Sequence, residues 1–221
     1  MSVQAQNPAE QAAERALTQM YACLSGRKCF RLEAGAGAGK TYSLIKALKH
    51  LLDEQGPSLV RMRQQIACIT YTNVAREEIE ARTDRHPAIF SSTIHSFCWS
   101  LIKDFQSVIR EKLSEIPSWV ERLDEAGGAG MRTVKYDLGH PRVAEGEISL
   151  GHNDVPTLMV NLLEYAKFRK LVGARFPVLF IDEYQDTDNE FAQAIKTHFL
   201  DTGEGPLIGL FGDEWQKIYG S

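Results

Sequence analysis

At 221 residues the chain is long enough for one substantial domain, or one domain carrying an insertion, with a sizeable buried core. Its 43% hydrophobic and 24% charged residues are those of an ordinary water-soluble protein, and a net charge of −4 excludes a surface coated in basic charge while leaving room for a local nucleic-acid groove. No run approaches the ~18 apolar residues of a membrane span, and the start lacks the basic-then-apolar layout of a signal peptide, so no membrane partner is expected and the expected location is the cytoplasm.

In chain order, Asn7, Pro8 and Glu10 open a helix expected to run to about residue 24. A short buried strand at 29–32 precedes the stretch Glu33-Ala34-Gly35-Ala36-Gly37-Ala38-Gly39-Lys40-Thr41, and a helix follows that Gly56-Pro57 is expected to stop. Residues 65–70 read as a compact apolar strand, 74–82 as a helix capped by Asn73, 89–94 as a further strand and 95–110 as a helix. The alternation then breaks into helical pieces at 107–123, a Gly-Gly-Ala-Gly turn at 127–130 and a helix at 156–172. It returns with an apolar strand at 177–181 of the kind buried on both faces, a helix at 189–200 and a strand at 206–211. The expected fold is therefore α/β: a parallel sheet flanked by helices, with a small, mostly helical insertion. The divisions expected are residues 1–103, 104–175 for the insertion, and 176–221. Cys29 and Cys68 fall in the apparent core strands and are expected as buried reduced thiols, and neither the cysteines nor the histidines form a metal-ligand pattern.

Glycines between a strand and a helix let backbone N–H groups converge on phosphate oxygens, and the helix start adds unpaired N–H groups and its positive dipole end. Lys40 would neutralise the β and γ phosphates of a nucleoside triphosphate, and the Thr41 hydroxyl would meet a magnesium ion bridging them. The pattern G-x-x-x-x-G-K-[ST] asks for glycine at position 34, where this chain has Ala34. Asp182 and Glu183 directly follow the apolar strand, at the edge of an open α/β sheet where phosphate loops also lie. Asp182 would serve the magnesium shell, and Glu183 would orient and deprotonate the attacking water.

These segments resemble the superfamily 1 DNA helicases of the UvrD/Rep/PcrA type, in which alanine at the first loop position is usual. Thr70 to Ala75, with Glu78 and Arg82, is similar to the family's T-F-T-N-x-A-A segment, and Ser92 to Phe97 to its G-T-[FI]-H-S-F segment. Asp182 to Thr187 is similar to D-E-[FY]-Q-D-T, and Gly212 to Tyr219 to G-D-x-x-Q-[SA]-I-Y. The resemblance implies a P-loop NTPase with a RecA-like sheet, using ATP and Mg2+, with Ala34, Gly35, Ala36, Gly37, Ala38, Gly39, Lys40 and Thr41 around the phosphates. It implies that Gln19 reads the adenine edge, although Gln11, or a plain helix-surface role for Gln19, also suits the sequence. Gln216 would sense the γ-phosphate. Tyr71, Asn73, Thr93, His95 and Tyr219 match positions lining the family's single-strand groove, where aromatic rings stack on any base. Taken without the resemblance, the two tyrosines would more often be partly buried aromatics and His95 a core or capping histidine. Ala38 stands where the family's loop usually carries a hydroxyl, and Trp215 where it carries an acidic residue or proline.

Helicases of this type hydrolyse ATP between two RecA-like domains, the second supplying arginines worth ~10³ to 10⁵ in rate where arginine fingers have been measured. Since the sequence ends at Ser221, just inside the third motif, the expectation is the amino-terminal piece of a longer 3′-to-5′ helicase on single-stranded DNA, with a second RecA-like domain in the same chain or in trans. The rival is an ATP-binding regulatory module that partners a nuclease, as in anti-phage defence. A P-loop kinase would leave residues 212–219 unexplained.

Overall fold

A computed structural model describes residues 8–35, 39–137 and 140–213. The Asn7 cap, loop residues Ala36, Gly37 and Ala38, and Trp215, Gln216 and Tyr219 lie outside the described residues. The chain falls into two compact units: residues 1–92, 173–187 and 205–221, and residues 93–172 and 188–204.

The first unit is built on a five-stranded sheet in the order β1-β8-β7-β2-β3, from β1 (Phe30–Glu33), β2 (Ile66–Thr70), β3 (Ile89–Thr93), β7 (Val178–Asp182) and β8 (Leu207–Gly212). The β1/β8, β8/β7 and β7/β2 pairs are all parallel, and helices flank the sheet, so the fold is the α/β class read from the alternation, consistent with the P-loop, RecA-like sheet that the resemblance implied. Strands β2 and β7 are buried at every position, which is why they read as unbroken apolar runs. Helix α1 (Pro8–Ser25) packs on α2 (Lys40–Arg61), whose stripe Leu44, Ile45, Leu48, Leu51 and Leu59 enters a core shared with Met20, Leu24, Ile66, Phe180 and Phe211. Helix α3 (Asn73–Arg82) begins where the Thr72 hydroxyl accepts the Ala75 N–H at 3.2 Å, so the cap is Thr72 rather than Asn73.

Two local expectations fail for tertiary reasons. Helix α2 does not stop at Gly56-Pro57 but continues to Arg61, because Leu59 keeps the apolar stripe facing the core, and that burial offsets the cost of an internal proline. Cys29 is exposed, unlike the fully buried Cys68, because β1 begins one residue later; its Sγ accepts the Ile208 N–H at 3.3 Å.

In the second unit, α4 (Ile94–Ile102) packs on α7 (Asp154–Leu163), and α7 also packs on α9 (Asn189–Ile195). Helices α5 (Gln106–Leu113) and α6 (Pro117–Glu125) lead through the glycine turn into a small sheet of β4 (Thr133–Lys135), β5 (Arg142–Val143) and β6 (Glu147–Ser149), which the sequence reading does not contain. Arg132 organises it: its guanidinium donates to the carbonyls of Gly128 at 2.6 Å, Ala144 at 2.7 Å and Ala126 at 3.0 Å. The helix read at 156–172 is interrupted after α7 and resumes as α8 (Ala166–Arg175).

Candidate nucleotide-phosphate site

Strand order builds this site. Glu33 pairs in register with Gly212 and Asp182 with Phe211, so the carboxyl ends of β1, β8 and β7 lie side by side and the turns after β1 and β7 flank the end of β8. The Ala34 N–H donates to Gly212 O at 3.1 Å, tying the start of the phosphate loop to that strand end.

Gly39, with φ at 86°, caps α2 in the left-handed region that a side chain would strain, and a Cβ at Gly35 would meet nothing within 4 Å. The first intrahelical bond runs from Ser43 N–H to Gly39 O at 2.9 Å, so the N–H groups of Lys40, Thr41 and Tyr42 belong to the open first turn. Lys40 is the first residue of α2 and half-buried Thr41 the second.

The Lys40 side chain is 8% exposed, and its Nζ lies 3.1 Å from Oε2 of Glu183, itself 37% exposed. A long cationic side chain is rarely buried without a charged partner. Glu183 follows β7 with φ 49° and ψ 48°, a left-handed conformation uncommon outside glycine, asparagine and aspartate. Its neighbour Asp182 is buried, and burial first, then the Glu183 charge, pushes its pKa up to about 6, against the Glu183 N–H at 3.1 Å and the attraction of Lys40. Burial, with the same Asp182 charge, also drives the Cys68 thiol up.

These features fit a nucleoside triphosphate: an open helix start, a buried amine directed at the turn after β7, and a desolvated carboxyl whose ionised form lacks full compensation. Among the described residues no group of three or more His, Cys, Asp and Glu could hold a metal by itself, so an ion at Asp182 and Thr41 would depend on phosphate oxygens.

Sequence reading left Gln185 without a role. It lies in the 3-10 turn Tyr184–Asp186, only 6% exposed; its Nε2 donates to Glu183 Oε2 at 2.7 Å and its Oε1 accepts the Asp213 N–H at 3.1 Å. Only its place in the D-E-Y-Q-D segment could have pointed to it. A Cβ at Gly212 would collide with Gln185 Oε1 and the Tyr184 ring.

The remaining residues singled out lie on several elements. Gln19 is exposed on α1. In the first unit Tyr71, 65% exposed, and Asn73 stand at the turn from β2 into α3, and further along α3 Glu78 and Arg82 form an ion pair of 2.8 Å. In the second unit the Thr93 hydroxyl donates to Ser96 Oγ at 3.1 Å, and the His95 ring stacks on His152 with centroids 3.4 Å apart. The Tyr136 hydroxyl and His152 Nδ1 are 2.8 Å apart. Burial and His152 push the His95 pKa down to about 4. No described helix is long and apolar enough to cross a membrane.

Residues 18–221 match the family described as AAA domain. The chain is 37% identical to the Gabija protein GajB of Bacillus cereus, over 84% of this chain and 40% of that protein. It is 26% identical to the ATP-dependent DNA helicase PcrA of Staphylococcus epidermidis and 25% identical to that of Staphylococcus aureus, each over 85% of this chain and 31% of the helicase. The chain thus spans well under half the length of these relatives. A family match running over most of the chain, with PcrA helicases aligned to 85% of it, decides the matter: the chain belongs to the AAA-domain family and is a UvrD/PcrA-type ATP-binding domain.

Proposed function

We propose that this chain is the ATP-hydrolysing wall of a UvrD/Rep-like motor that moves 3′-to-5′ on single-stranded DNA, completed by a second RecA-like domain in the same chain or in trans. The observation that carries the reading is the buried Lys40 amine at the start of α2, held 3.1 Å from the Glu183 carboxylate. In this reading the backbone from Ala34 to Gly39 and the Lys40 amine grip the phosphates. Thr41 and Asp182 would hold a magnesium ion, which would supply charge neutralisation to the phosphate oxygens. Glu183, displaced from Lys40 by the phosphates, orients and deprotonates the attacking water. Gln216 senses the γ-phosphate and Gln19 reads the adenine. Tyr71, Asn73, Thr93, His95 and Tyr219 serve the strand groove. The proposed organisation is a RecA-like domain of residues 1–103 and 176–221 interrupted by an insertion at 104–175, acting in the cytoplasm.

A second reading, an ATP-binding module that regulates a nuclease partner in anti-phage defence, is favoured by one observation. Identity to GajB, at 37%, exceeds the 25–26% shared with proteins named as helicases.

The test is Mg·ATP binding and ATP turnover by this chain, with and without single-stranded DNA, beside Lys40→Ala and Glu183→Gln. The motor-wall reading expects binding that Lys40→Ala abolishes, with negligible turnover until a second RecA-like domain is supplied. Absence of binding would overturn the nucleotide reading. Robust turnover by the chain alone, lost in both variants, would show that no second domain is needed. DNA-stimulated turnover of the completed protein separates the motor from the regulatory module.

A further inference from the structure

Gln185 is a buried amide whose two ends serve two different segments. Its Nε2 donates to Glu183 Oε2 at 2.7 Å, and its Oε1 accepts from the Asp213 backbone at 3.1 Å. Lys40 Nζ meets the same Oε2, so both contacts leave the Oε1 edge of the carboxylate facing away from them. The link is tight: Gly212 must lack a side chain for Gln185 and Tyr184 to lie over it. A buried amide bonded at both ends is costly to displace, because moving either partner breaks a hydrogen bond that water is poorly placed to replace.

We infer that Gln185 is a positioning residue that couples the carboxylate of Glu183 to the end of β8 at Gly212-Asp213, so that a shift at either place is felt at the other. The inference rests on the proposed role of Glu183 in ATP hydrolysis and adds a mechanical connection to it. When phosphates draw Lys40 off Oε2, the Gln185 amide keeps that oxygen, and the carboxylate pivots about a fixed bond instead of swinging free. In the opposite direction, a shift of Gly212-Asp213 at the end of β8 re-aims Glu183 through the same side chain.

The test is a double-mutant cycle read by hydrogen exchange at the Asp213 amide, in wild type, Glu183→Ala, Gln185→Met and the double variant. Gln185→Met is expected to lower Asp213 protection by about tenfold, the value of one buried hydrogen bond. Glu183→Ala is expected to lower it in the wild-type background and to add nothing once Gln185 is replaced. Equal, independent effects in both backgrounds, or no effect of Glu183→Ala, would overturn the coupling. Exchange at the β2 amides, Ile66–Thr70, guards against misfolding: protection there should match wild type in every variant. A loss of protection in β2 as large as that at Asp213 would overturn the inference by showing that Gln185 only holds the fold together. Mg·ATP affinity of Gln185→Met should stay within about threefold of wild type, whereas a loss of about tenfold would show that Gln185 builds the pocket rather than aims the carboxylate. Failure of the wild type itself to bind Mg·ATP would defeat the nucleotide reading and leave the linkage to be decided by the exchange data.

Discussion

Replacing Asp182 by asparagine should stabilise this protein, and only at neutral and alkaline pH. The carboxyl is 6% exposed, and burial together with the Glu183 charge raises its pKa from the ordinary 3.8 to about 6. The folded protein therefore binds this proton more tightly than the unfolded chain. Its contribution to stability is fully present below about pH 4 and is lost as pH rises through about 6, leaving a penalty of roughly 3 kcal/mol at pH 7 and above. The asparagine side chain would carry no charge, while its amide oxygen can still accept the Glu183 N–H. The assay is urea unfolding of wild type and Asp182→Asn between pH 4 and 8, in EDTA and without nucleotide. The advantage of the variant should be near zero at pH 4 and grow to about 3 kcal/mol by pH 7, equivalent to roughly 6–12 °C in melting temperature for a chain of this size. Addition of Mg·ATP should then raise the melting temperature of wild type more than that of the variant, because the ion compensates the charge that asparagine lacks. A difference independent of pH, or a variant less stable than wild type at pH 8, would refute the reasoning by showing that Lys40 already compensates the Asp182 charge in full.

Gly209 faces Phe30 and Phe180, and a Cβ there would lie 2.7 Å and 2.8 Å from their ring atoms, so Gly209→Ala should cost about 1–3 kcal/mol by chemical denaturation. His95, whose pKa of about 4 is depressed by burial and His152, supports stability that is present above pH 6.5 and lost as pH falls toward 4. His95→Phe keeps an aromatic ring on His152 and should flatten that acid limb in denaturation midpoints taken at pH 4.5 and 7.5; an unchanged slope would assign the limb to other groups. Arg132→Met strips three carbonyls of their charged donor and should destabilise the second unit by about 2–3 kcal/mol, with faster proteolytic cutting within residues 126–132.

The sequence by itself determined the elements whose causes are local. A four-residue strand, a loop of alanine and glycine, and a helix with a 3.6-residue apolar stripe follow from contiguous residues, as does an apolar strand that ends in Asp182 and Glu183. The positions of Lys40, Thr41, Asp182 and Glu183 were legible for the same reason, since each stands at a strand or helix end whose backbone is set by its neighbours. Tertiary structure alone decided what depends on burial between distant segments. It placed β8 between β1 and β7, so that Lys40 meets Glu183 and Gln185 reaches Asp213. It carried α2 through Pro57 because Leu59 has a core to enter. It formed the small sheet around Arg132, and it stacked His95 on His152, contacts that no periodicity in either segment announces. Hydrogen bonds within a turn are written in short windows of sequence, whereas the partner of a buried side chain is set by strand order, and strand order follows from the packing of the whole sheet.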